Sequence, residues 1–202
     1  MKENTIETLT QAVLQRLFVP LEASGRHVHV TKEQALTLFG HALTPQRPLS
    51  QPGQYLARER VSVVGPKGVF EKVAVLGPER QEAQVEISLT DGRVLGITPP
   101  IRPSGEVADT PGATLVGPKG QVTLNRGVMA AQRHIHLSPE EGRRFGVTDK
   151  QIVRLQTFTP RGVTFENVLV RIHKDFRAAV HLDYDEANAC GFQNGDYGRI
   201  LP

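Results

Sequence analysis

Along residues 5–18, apolar side chains recur at three- and four-residue steps. Ile6, Leu9, Val13, Leu14, Leu17 and Phe18 form one stripe, which predicts an amphipathic helix capped by Asn4 or Thr5 and ended by Pro20. Such a helix either packs on the chain's own core or docks on another protein. Beyond it the period falls to two. Val61-Ser62-Val63-Val64 alternates into the turn Gly65-Pro66-Lys67-Gly68, and Val69 to Leu76 returns, which predicts a hairpin. Gln84 to Leu89 alternates again. A further hairpin turns at Gly117-Pro118-Lys119-Gly120, and another carries Val153–Phe158 through Thr159-Pro160-Arg161-Gly162 into Val163–Ile172. Residues 41–53 hold Pro45, Pro48, Pro52 and Gly53 and read as an irregular connection. Residues 98–112, rich in Pro and Gly, read as a functional or connecting loop.

The pattern occurs twice. Pro160-Arg161-Gly162-Val163 stands beside Pro66-Lys67-Gly68-Val69, and Phe165–Val170 matches Phe70–Val75 at a shift of 95 positions. The same shift lays Ala179-Val180-His181-Leu182-Asp183 on Gln84-Val85-Glu86-Ile87-Ser88. A second repeated stretch is more specific. Arg26-His27-Val28-His29-Val30-Thr31 returns as Arg133-His134-Ile135-His136-Leu137-Ser138. In an extended strand, alternate side chains share a face, so each copy presents two imidazoles on one side and packs its apolar residues on the other. Thr31 and Ser138 then read as helix N-caps, with Gln34 and Glu141 completing capping boxes and Pro139 at the first helical position. These features predict strands at 21–30 and before Ser138, with short helices over 32–39, closed by Gly40, and to about Phe145. A pair of ordinary core or surface histidines is the plain alternative. The duplication, Arg included, weighs against it, because four of the seven His lie in these two places.

The expected fold is therefore mainly β: a tandem duplication forming two small β-barrel domains, closed or nearly closed, capped by short helices, plus the N-terminal amphipathic helix. At 202 residues the chain is long enough for two small cores. The formal charge of +3 suits an anionic small molecule, and no basic run or interleaved aromatics suggests nucleic acid. Cys190 is the only cysteine, which excludes an intrachain disulfide and a thiolate zinc cluster. No apolar run approaches membrane-spanning length, and Met1-Lys2-Glu3-Asn4 lacks a signal-peptide pattern, so a reducing cytosolic setting is expected.

Each half offers three donors: His27, His29 and Glu86 in the first, His134, His136 and His181 in the second. Three imidazoles, or two and a carboxylate, form an open zinc site with one position left for water or substrate. Iron and manganese accept similar ligands. Arg26 and Arg133 precede the His pairs and face away from them, which suits anchoring rather than substrate contact. Arg80 follows Gly77-Pro78 at the expected mouth of the first site, where it is either a bidentate phosphate holder or a solvated surface residue. Asp183 can orient a ligand His. Cys190 has no evident base beside it and reads as a buried spectator. No Gly-rich phosphate loop, Gly-x-Ser-x-Gly elbow or dinucleotide fingerprint is present.

Arg26-His-Val-His, Gln51-Pro-Gly-Gln-Tyr, Leu76-Gly-Pro, Gln84-Val-Glu-Ile-Ser, Ser104-Gly, Gln132-Arg-His-Ile-His-Leu-Ser and His181-Leu-Asp-Tyr-Asp-Glu-Ala-Asn-Ala resemble the PduL-type phosphotransacylases. These phosphate propanoyltransferases are often found in bacterial microcompartments, as in propanediol degradation. The match runs from about residue 20 to 198. It implies two β-barrels with exchanged chain: 21–25 and 132–202 in the first, with His134, His136 and His181, and 26–131 in the second, with His27, His29 and Glu86. Residues 1–20 are expected to hold the N-terminal amphipathic helix. The resemblance also implies two Zn2+ per chain on those trios, coenzyme A as substrate, and Arg80 at the phosphate site as a catalytic residue. The implied reaction is acyl-CoA plus phosphate to acyl phosphate plus CoA. A homodimer, a cytoplasmic or microcompartment-lumen setting, and docking of shell or cargo proteins on residues 5–18 complete the expectation. Where the family loop reads Ser-Gly-acidic-apolar-Glu-Gly, this chain has Ser104-Gly105-Glu106-Val107-Ala108-Asp109, so no function carries onto it. The competing readings are a dinuclear metal-dependent thioester hydrolase, an iron oxygenase and a metal-stabilised scaffold.

Overall fold

The computed structural model describes residues 16–201 together with Thr8, Thr10, Val13 and Leu14. Of the helix expected over 5–18, Thr8, Thr10, Val13, Leu14, Arg16 and Leu17 are helical, and the other positions before Arg16 lie outside the described residues. No helix among the described residues is long and apolar enough to cross a membrane.

Fifteen strands dominate the described residues, β1 (Val19–Ala23), β2 (His27–His29), β3 (Pro45–Pro48), β4 (Tyr55–Val64), β5 (Val69–Gly77), β6 (Gln84–Glu86), β7 (Ile101–Arg102), β8 (Ala113–Val116), β9 (Gln121–Leu124), β10 (Val128–Ala131), β11 (His134–Leu137), β12 (Ile152–Phe158), β13 (Thr164–Ile172), β14 (Ala179–Leu182) and β15 (Tyr197–Leu201). Four short helices accompany them, α1 (Lys32–Phe39), α2 (Leu89–Leu95), α3 (Pro139–Phe145) and α4 (Tyr184–Cys190). Two compact units result. One holds residues up to Ser24, Arg133–Leu182 and Glu186 onward; the other holds Gly25–Gln132 and Asp183–Asp185.

In the first unit, β1-β14-β11-β13-β12-β15 close a six-stranded barrel. β12 shows why: its residues alternate exposed and buried over its whole length, so Val153 and Leu155 face the core that Ile135, Leu137, Val170, Val180 and Ile200 fill. In the second unit nine strands run β7-β10-β6-β2-β5-β4-β8-β9, with β3 on β4, as a half-barrel around Val28, Val63, Val75, Val85 and Leu115. The predicted hairpins form as β4–β5, β8–β9 and β12–β13.

Both units carry the same irregularity. Between Val61/Val63 and between Val153/Leu155 the register slips, and in the returning strands Lys72 (φ 54°) and Asn167 (φ 56°) take left-handed backbone. These are matching β-bulges, one extra residue each, and they sharpen the local twist.

Three local readings change. The strand expected over 21–30 is two strands, β1 and β2. They break at Ser24–Arg26 because β1 joins the barrel, beside β14 and β15, whereas β2 joins β5 and β6. The strand expected over Gln84–Leu89 stops at Glu86. Ser88 then caps α2 through a capping box with Asp91, and Gly96 at φ 72° ends the helix. Within 41–53, Pro45–Pro48 forms an exposed edge strand on β4, a place where the missing proline donors cost little. The helices after Thr31 and Ser138 form with both capping boxes in place.

Candidate functional site

β2 carries His27 and His29 on one face, both buried, and β6 lies antiparallel with Glu86 opposite His27. His27 Nδ1 lies 2.8 Å from the Gly25 carbonyl oxygen, and His29 Nδ1 lies 3.2 Å from that of Leu76. A carbonyl only accepts, so each Nδ1 carries a proton, which leaves Nε2 as the atom that could meet an ion. Glu86 Oε2 lies 3.6 Å from His27 Nε2. The donor atoms of the three residues all lie within 4.8 Å of one another.

The other Glu86 oxygen is held from behind. Oε1 accepts from Gln84 Nε2 and from Ser104 Oγ at 2.8 Å, and the Gly105 N–H donates to Gln84 Oε1 at 2.8 Å. The Ser104-Gly105 turn therefore orients the carboxylate, a contact absent from the sequence reading because the loop lies 18 residues downstream of Glu86. Burial alone would raise the Glu86 carboxyl. The charge and hydrogen bond of His27, with His29 and Ser104, outweigh it and hold the group well below the usual carboxylate range. His29 is held well below the usual imidazole range by burial, then by the charges of His27 and Arg80. Burial lowers His27 too, but Glu86 overcomes this and raises it. A divalent cation held here would take Glu86 as a carboxylate and both imidazoles neutral.

The second trio repeats the geometry. β11 presents His134 and His136, and β14 sets His181 opposite His134, in the register that sets Glu86 opposite His27. The ring centroids lie 4.7 Å (His134–His136), 5.0 Å (His134–His181) and 4.7 Å (His136–His181) apart. The donor atoms again lie within 4.8 Å of one another. Phe176 stacks on His136 with centroids 4.3 Å apart. Glu22, from β1, stands in register with His181, its Oε2 3.2 Å from His181 Nε2. Both trios fit a metal ion by donor type, spacing and burial.

Arg80 is half-buried. Its N–H donates to the Val30 carbonyl at 2.9 Å, and its charge acts on both His27 and His29. Arg26 and Arg133 turn to carboxylates, Asp91 and Glu186. Cys190 is fully buried, its Sγ 3.4 Å from the Ala187 carbonyl oxygen, and burial pushes its thiol up. A thiol held in that form is a poor nucleophile.

Each unit of the duplicated β scaffold thus carries one candidate donor trio, and Arg80 lies beside that of His27, His29 and Glu86. Residues 20–193 match the model of the phosphate propanoyltransferase family, and the chain belongs to that family. Among its relatives, a phosphate propanoyltransferase of Listeria monocytogenes is 48% identical over 97% of this chain and 93% of its own. One from Clostridioides difficile is 44% identical over 98% of both chains. One from Thermotoga maritima is 48% identical over 88% of this chain and 86% of its own.

Proposed function

We propose that this enzyme moves a short acyl group reversibly between coenzyme A and inorganic phosphate, with one zinc ion held by each trio. The observation that carries the proposal is the doubled trio: His27, His29 and Glu86 in one unit and His134, His136 and His181 in the other, each with donor atoms within 4.8 Å. Zinc bound there would supply positive charge to phosphate, to the thioester oxygen and to the departing CoA thiolate. His134, His136 and His181 serve the phosphate side, and His27, His29 and Glu86 the CoA side.

The chain's own groups have distinct tasks. Arg80 offers two parallel N–H donors and a fixed charge to phosphate, beside imidazoles that already sense that charge. Glu86 stays ionised and faces inward through Oε2 because Ser104 and Gln84 occupy Oε1. A phosphate oxygen attacks the thioester carbonyl carbon, the C–S bond breaks, and the thiolate leaves as CoA. The buried, neutral Cys190 supports this direct displacement over an acyl-enzyme on the thiol. The relatives' name favours a propanoyl group.

The helical residues Val13 and Leu17, 55% and 57% exposed, support docking of residues 5–18 on another protein, and a microcompartment component is the partner we favour. A homodimer remains part of this reading.

The test is CoA release from propanoyl- and acetyl-CoA, with and without phosphate, alongside zinc analysis. Phosphate-dependent release with formation of acyl phosphate is expected. Equal release without phosphate would instead establish the thioester hydrolase, and full activity without metal would remove zinc from the reaction.

A further inference from the structure

Arg26 and Arg133 each precede a His pair, and each pairs with a carboxylate and lies over an aromatic ring of its own unit. Arg26 Nε donates to Asp91 Oδ2 at 3.1 Å and Nη2 to Asp91 Oδ1 at 2.7 Å, a two-point fork. Asp91 is also the capping partner of Ser88: the Ser88 N–H donates to Asp91 Oδ2 at 3.3 Å, and the Asp91 N–H to Ser88 Oγ at 3.2 Å. Ser88 follows Glu86 by two residues, and Arg26 adjoins His27. One carboxylate thus ties the backbone beside a trio's first donor to the backbone beside its third. The Arg26 guanidinium also lies 4.2 Å over the Phe70 ring, on β5, the strand that flanks β2 on its other side.

In the barrel, Arg133 Nη1 donates to Glu186 Oε1 at 2.6 Å and Nε to the Glu166 carbonyl at 2.7 Å. Its guanidinium lies 5.5 Å over Phe165, on β13, the strand that flanks β11. The shift of 95 that maps Glu86 onto His181 also maps Phe70 onto Phe165 and Asp91 onto Glu186. The third donor has changed from carboxylate to imidazole between the halves, yet arginine, acid and ring are kept. The contacts therefore serve the position of the donor rather than its identity.

We infer that Arg26–Asp91 and Arg133–Glu186 are two independent clamps, each holding the third donor of its trio against the His pair, so that retention of each ion depends on its own clamp. These are positioning residues; neither touches substrate. The fork of Arg26 on Asp91, and the two separate nitrogens by which Arg133 holds Glu186 and the Glu166 carbonyl, fix direction as well as distance, which a lysine ammonium does not reproduce. The inference rests on the trios holding metal.

The experiment follows zinc release from the intact protein to a coloured chelator, with thermal melting in parallel. Glu86→Gln and His136→Ala identify which release phase belongs to which trio. Arg26→Lys keeps the charge and Asp91→Asn keeps the shape, so both retain the fold. Each should release the first trio's zinc about tenfold or more faster, the range for second-layer changes at metal sites, and leave the other phase unchanged. Arg133→Lys and Glu186→Gln should do the reverse. If all four lower the melting temperature but release both ions at the wild-type rates, or speed both phases equally, the clamps are ordinary staples of the fold and the inference is overturned. A wild-type protein that binds no zinc would overturn the metal reading instead.

Discussion

Glu22 and His181 stand in register across the parallel β1–β14 ladder, with Oε2 of one 3.2 Å from Nε2 of the other. The matching ladder in the second unit, β10–β6, sets Met129 in register with Glu86. The carboxylate has exchanged strands between the halves, so each trio keeps one acidic residue in its ladder. Glu22→Gln should therefore weaken the second site without emptying it. We expect zinc affinity there to fall about tenfold, less than for loss of a donor. Chelator competition at fixed pH measures it.

In the proposed site Glu86 is itself a donor, so its replacement would remove both a ligand atom and a charge. Glu86→Gln should cut bound zinc from about two ions per chain to about one and abolish turnover, and His136→Ala should do the same from the other unit. Metal analysis of purified variants checks both, and His136→Ala retaining full zinc would contradict the second site.

Ser104 would act on a bound ion only through Glu86. Ser104→Ala deletes the 2.8 Å hydrogen bond to Oε1, leaving Gln84 as the remaining side-chain donor to that oxygen. Affinity at the first site should fall about tenfold, with the second site unaffected. Residual activity should be restored by added zinc, which a direct substrate contact would not allow.

For Arg80 the expected signature lies in the phosphate constant. A hydrogen bond to a charged group is worth about 1.5–3 kcal/mol, or roughly 10–100-fold in binding. Arg80→Ala should raise the KM for phosphate by that factor and change the KM for acyl-CoA little. Arg80→Lys should recover only part, since it lacks the fork. Steady-state kinetics with each substrate varied separates the two constants.

Cys190 supplies the control. Cys190→Ala should keep activity within about twofold and cost about 1 kcal/mol of stability through a small cavity. Loss of all activity, or a trapped acyl group on Sγ, would replace direct displacement with a covalent route.

Much of the site was legible in the sequence because it is written locally and twice. Alternation in a strand places His27 with His29 and His134 with His136 whatever the strand pairs with. The capping boxes of Thr31 and Ser138 are likewise settled within four residues. The repeat then named Glu86 and His181, because a duplicated gene keeps its offsets even where the donor changes. The hairpins at Gly65–Gly68 and Gly117–Gly120 are short-range as well.

Tertiary structure decided what periodicity does not encode, namely which strand pairs with which. Ser24-Gly25 is a local turn signal, but which cores its two flanks enter is not local: β1 and β2 bury their apolar faces in different cores, around Leu21 and Val28 respectively. That choice brings Glu22 to His181, and the separate β10–β6 pairing brings Met129 to Glu86. Gln84–Leu89 alternates equally well as strand throughout, and the competition between the ladder and the Ser88–Asp91 cap ends it at Glu86. The hold of Ser104 on Glu86 and the fork from Arg26 to Asp91 also join residues far apart in sequence. Local sequence and its repeat marked the candidate donors, and long-range pairing set what surrounds them.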